Sequence, residues 1–111
     1  MPPRFTEAVK RLDGDASLLR EMALMTMPEF KTLTNHAHES ALDGRCDQAV
    51  RDLHKLKGML STFESDGVVL EIQEVIQAGR NQNAKNMVTL LEQTMPAIEE
   101  LIDAVENFSR V

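Results

Sequence analysis

The chain contains neither tryptophan nor tyrosine, and its four phenylalanines are outnumbered by seven methionines. A core so poor in aromatic side chains suits helix-on-helix packing better than a sheet, whose pleated faces favour aromatic and β-branched residues. The single cysteine, Cys46, excludes an intrachain disulfide, which fits a reducing cytosol. Positive charge is also short: 12 Lys and Arg stand against 18 Asp and Glu, a formal net charge of −6. Nucleic acid binding through a broad basic surface is thereby excluded, although a local cationic patch is not. No run approaches the roughly 20 apolar residues of a membrane span. The opening "MPPRFTEAVK" has no apolar segment of the kind that directs secretion. These absences point to a soluble, cytoplasmic protein, with neither nucleic acid nor membrane as a partner.

What is present reads as one domain over residues 1–111, with 42% hydrophobic and 27% charged residues and room for one core. No segment alternates with period two for long enough to make a strand, whereas three- and four-residue apolar steps recur throughout. A short helix is expected from about Thr6 to Leu12. A long one follows, capped by Asp15 and running to about Leu42, with the stripe Leu19, Met22, Thr26, Phe30, Leu33, Ala37 and Ala41. Pro28 lies inside this run and predicts a bend rather than two helices. A third helix starts at Asp47 or close by and carries Ala49, Leu53, Leu56, Leu60 and Phe63 on one face. "ESDG" ends it, with Ser65 or Asp66 as the cap of a fourth helix that presents Val68 or Val69, Ile72, Val75 and Ile76. Gly79 is expected as the C-terminal glycine of that helix. The last helix shows Met87, Leu91, Thr94, Ile98, Leu101 or Ile102, Val105 and Phe108, with a bend at Pro96. Four one-faced helices on short loops predict an all-α fold: an antiparallel up-down four-helix bundle, with the short first helix across one end.

Within the third helix, "DLHKLKGMLS" places a glycine near the middle, where glycine costs roughly 0.8–1.0 kcal/mol relative to alanine. At about 100° per residue, His54 lies about 140° from the centre of the apolar stripe and points outward. Lys57 and Arg51 flank it at about 60° on either side, Gly58 follows one turn later, and Ser61 lies two turns on. An outward imidazole between two cations has the makings of a nucleophile whose neighbours stabilise a transferring phosphoryl group. Gly58 would clear the space beside it for a partner's active site. The plainer reading is an exposed histidine without a role.

"LHKLKG", residues 53 to 58, resembles the His-x-Leu-Lys-Gly signature of histidine phosphotransfer domains, the carriers of multistep two-component phosphorelays. "RLDGDASLLREM" is similar to that family's entry into its long second helix, and "VVLEIQEVIQAGR" to the helix after the phosphorylated one. The resemblance implies a bundle of the kind predicted above. It makes His54 the phosphoacceptor, Lys57 a phosphoryl contact and Gly58 the clearance glycine. Arg51, Lys55 and Lys57 would face the acidic pocket of a partner. The implied partners are receiver domains of response regulators and a hybrid sensor histidine kinase. Two departures stand out. Glu64 occupies the place of a second family glycine, with Gly67 three residues later as the residue that makes the turn. Ile76 aligns with a glutamine that orients the imidazole in the family, leaving Gln73, one turn earlier, or the adjacent Gln77 to reach the ring.

No cofactor is expected; any Mg²⁺ would come with the receiver. There is no Walker glycine loop and no kinase signature, so the chain is expected to be a phosphocarrier rather than an enzyme. The alternative expectation is a four-helix interaction module that docks on receivers or self-associates without carrying phosphate. A monomer is expected because each helix has one clear apolar stripe. His36 and His38 fall about 160° apart on a helix and cannot chelate one ion. Cys46 receives no role. Glu99–Asp103 and Glu71–Glu74 read as solvated faces, and the methionines as core filling or as part of an adaptable docking surface.

Overall fold

A computed structural model describes residues 4–110; residues 1–3 and 111 of the expected domain lie outside the described part. It contains five helices and, among the described residues, no strand: α1 (Thr6–Arg11), α2 (Ala16–Leu42), α3 (Cys46–Leu60), α4 (Val68–Arg80) and α5 (Ala84–Ser109). No described helix is long and apolar enough to cross a membrane. Two starts are set by side chains. Asp15 accepts a hydrogen bond from the Leu18 amide at 3.0 Å, and Asn83 accepts one from the Asn86 amide at 3.1 Å. Each satisfies one of the amides that a helix start leaves without a partner. Pro28 and Pro96 stay inside α2 and α5 without splitting them. Both prolines are exposed, as are Leu24 and Glu92 four residues earlier. The carbonyls that lose their helical donor therefore lie on the solvent side.

Two expected boundaries need correction. Neither Ser65 nor Asp66 caps α4; Gly67 stands at the cap with no side-chain bond, at φ 60° and ψ −118°. That backbone conformation suits glycine, and the Gly67 carbonyl accepts from the Leu70 and Glu71 amides. Gly79 does not end α4 either. It is buried inside the helix, where a Cβ would come within 2.6 Å of Val50 Cγ2 and 2.8 Å of Met87 Sδ. Its smallness lets α4 approach α3 and α5, and the turn is made beyond it at Gln82, with φ 57°.

α2 packs against α3 and α5, and α4 packs against the same two, which closes a ring around the core. The long axis of 42 Å matches about 40 Å for a 27-residue helix at about 1.5 Å per residue, so α2 runs the length of the molecule. Leu19, Phe30, Leu53, Leu56, Leu60, Ile72, Ile76, Met87, Leu91, Ile98, Leu101 and Ile102 are fully buried. Val68 and Val69 are both buried. On α2 the buried face is rotated from the expected stripe. Ala23, Thr34 and Ser40 are buried, while Met22, Thr26 and Leu33 lie at its margin. A helix between two neighbours needs small residues where backbones approach. Thr34 enters because its hydroxyl donates to the Phe30 carbonyl at 2.8 Å.

All four phenylalanines meet at one end. Phe5 lies edge-on to Phe63 and Phe108, with centroids at 5.7 and 5.5 Å, and Phe30 meets Phe63 at 6.3 Å. The α1 end also holds the turn after α3. Arg11 donates to the Thr62 carbonyl at 3.1 Å, and Arg4 pairs with Glu64 at 3.0 Å.

Candidate functional site

Ala49, Leu53, Leu56 and Leu60 pin the inner face of α3, so the outward direction of the residues between them is fixed by packing. His54, Arg51, Lys55 and Gly58 are exposed, and Lys57 and Ser61 are half-buried. The imidazole of His54 makes no hydrogen bond or ion pair with any described residue. Gly58 leaves open space beside it: a Cβ built there meets nothing within 4 Å.

The surrounding polar groups are already engaged. Lys57 Nζ donates to Gln73 Oε1 on α4 at 2.6 Å, in a half-buried contact. Lys55 Nζ pairs with Glu29 Oε2 on α2 at 3.1 Å, where both side chains are more than half exposed and the pair is worth little. Arg51 donates to Gln48 Oε1 at 2.9 Å, within α3. The Ser61 hydroxyl donates to the Lys57 carbonyl at 2.7 Å, which occupies its proton in closing the end of the helix.

His54, Arg51, Lys55, Lys57, Gly58 and Ser61 thus share α3 and the turn that ends it, with Gln73 joining through Lys57. The expectation that a glutamine of α4 reaches the imidazole is not met. Gln73 holds the lysine instead, Ile76 is fully buried and Gln77 is exposed. The reason is directional: α4 faces the flank of α3 that carries Val50 and Lys57, while His54 stands further round the helix, clear of α4. Glu64, at the place of the second family glycine, pairs with Arg4, and α3 ends at Leu60 before it.

Chemically, the site is a free imidazole on an outer helix face, with three cationic side chains nearby on an otherwise acidic chain. His54 and Gly58 both lie on open surface. No group of three His, Cys, Asp or Glu side chains among the described residues could hold a metal ion. His36 and His38 face different helices: His36 meets Asp52 on α3 at 2.5 Å and His38 meets Glu92 on α5 at 2.9 Å.

Sequence reasoning missed Asp52, a carboxylate that is only 8% exposed. It receives His36 at Oδ2 and a hydrogen bond from Gln48 Nε2 at Oδ1, 3.0 Å away. The signal was present, since Asp52 falls about 100° from Leu53, at the edge of the apolar stripe, with Gln48 one turn before it. Compared with known proteins, the chain matches no family model, no curated protein and no solved structure.

Proposed function

We propose that this chain is a cytoplasmic, monomeric histidine phosphotransfer protein, folded as an antiparallel up-down four-helix bundle with α1 across one end. The opposed directions of α2 and α3 are supported by their cross-helix pairs. Going from Glu29 to His36 along α2 corresponds to going back from Lys55 to Asp52 along α3. The observation that carries the function is His54: exposed, free of partners among the described residues, beside Arg51, Lys55 and Lys57, with open space at Gly58.

In the forward step an imidazole nitrogen of His54 attacks the phosphorus of a receiver's aspartyl phosphate. The N–P bond forms, the P–O bond to the aspartate breaks, and the carboxylate leaves. The reverse step passes the group to a second receiver. Arg51 and Lys57 stabilise the charge on the phosphoryl oxygens, and the receiver brings its Mg²⁺. Apolar contact is available nearby. Met25 is 78% exposed, and one turn before Glu29 it lies alongside the turn of α3 after Lys55.

The test is phosphoryl transfer from a phosphorylated receiver to the wild-type chain and to His54→Gln. Label should appear on the wild type alone; label that persists in the variant removes His54 from the role. One observation favours a second reading, a docking module that carries no phosphate: Gln73 holds Lys57 and leaves the imidazole unoriented. Under that reading no acid-labile, base-stable phosphate forms at His54 with any of several competent donors, while binding to receivers persists.

A further inference from the structure

The buried carboxylate of Asp52 has no part in the chemistry proposed for His54. The two side chains are about 160° apart around α3, with Asp52 turned to α2 and His54 to the outside. Asp52 Oδ1 accepts the Gln48 amide at 3.0 Å, and Oδ2 lies 2.5 Å from His36 Nδ1. A carboxylate can only accept, so the proton of a neutral His36 ring sits on Nδ1. The lone pair is then on Nε2, which has no partner among the described residues, and the side chain is 48% exposed. The other two histidines differ. His38 has its Nε2 on Glu92 at 2.9 Å, in a side chain only 25% exposed, and no described residue bonds His54 to fix its tautomer.

We infer that His36 is a second nucleophilic imidazole, separate from His54, whose Nε2 takes a phosphoryl group from small activated donors of the phosphoramidate and acyl phosphate class. With phosphoramidate, Nε2 attacks phosphorus, the N–P bond to the ring forms, and the donor's own P–N bond breaks with ammonia leaving. The ring keeps its Nδ1 proton and becomes a phosphorylated imidazolium. Its positive charge falls on the bond to Asp52, where a charge-assisted contact is stronger than a neutral one. The carboxylate therefore acts twice: it selects the nucleophilic tautomer before attack and holds the cation after it. Gln48 keeps the carboxylate in place through its second oxygen. Asp52 is a positioning residue here, since it touches the ring and not the phosphoryl group. This inference does not depend on any receiver, and so stands or falls apart from the role proposed for His54.

The experiment treats His54→Gln with potassium phosphoramidate at neutral pH and locates base-stable phosphate by peptide mapping. Phosphate is expected at His36, absent from the double variant His36→Gln/His54→Gln. Asp52→Asn, which can no longer insist on a donor at Nδ1, should slow labelling of His36 by roughly tenfold or more while leaving that of His54 in an otherwise wild-type chain unchanged. Because Asp52 is buried and its variant could lose the fold, ¹⁵N shifts of the His36 ring in the wild-type protein give an independent reading. A pyrrole-type Nδ1 and a pyridine-type Nε2 are expected. The opposite tautomer, an unlabelled His36, or an Asp52→Asn protein that is folded and labelled at the wild-type rate would each overturn the inference.

Discussion

At the scale of single residues, two glycines inside helices have opposite surroundings, and the difference separates a surface role from a packing role. Gly58 faces open space, where a Cβ meets nothing within 4 Å, so replacing the glycine should firm the helix. Gly58→Leu is therefore expected to raise stability by roughly 0.5–1 kcal/mol, read from urea unfolding, while slowing phosphoryl transfer from a receiver. A firmer protein with unchanged transfer would show that the space beside His54 has no use in docking. The sequence made His54, its cations and Gly58 legible because all lie on one helix, where spacing alone sets direction. It did not reveal that Gln73 holds Lys57, nor that Asp52 is buried under His36. Both depend on which neighbour covers which flank of α3. A carboxylate at the edge of an apolar stripe reads as solvated until a second helix closes over it.

Elements were legible to different degrees for equally local reasons. α3 and α5 have long apolar side chains at regular steps, so their buried faces follow from the pattern. α2 shows a weaker pattern, because it buries Ala23, Ala37, Ser40 and Thr34 where it passes close to two neighbours. Small residues at a close crossing look neutral in sequence. The same blindness explains Gly79, whose place before "RNQN" suggested a helix end. Its contacts show an approach of α4 to Val50 and Met87. Met87 can swing its thioether aside, but Val50 is β-branched and stiff. Gly79→Ala should therefore destabilise the protein by about 1–2 kcal/mol, overpacking outweighing the helix propensity of alanine. Adding Val50→Ala should recover part of that loss in a double-mutant cycle. A Gly79→Ala protein more stable than wild type would mean that the helices separate there without cost.

Across the whole molecule, the ring of α2, α3, α4 and α5 leaves no pair of helices with a core of its own. Each helix buries its stripe against two others, and the phenylalanines of α1's start, α2, α5 and the turn after α3 interlock at one end. Unfolding any one element would expose apolar surface on at least two more, which makes loss of the fold cooperative. The chain carries its own probe for this. Cys46 is 4% exposed at the first turn of α3, whereas the phenylalanines meet at the turn that follows that helix. With no tryptophan or tyrosine to report by fluorescence, the thiol and the helical circular dichroism are the two natural signals. As urea is raised, Cys46 should become reactive to a thiol reagent in the same transition that removes the helical signal, with one midpoint for both. A thiol that reacts fully while most of the helical signal survives would show that the start of α3 opens by itself. The outer face of that helix, where His54 stands, would then be a mobile surface rather than a fixed platform for a docking partner.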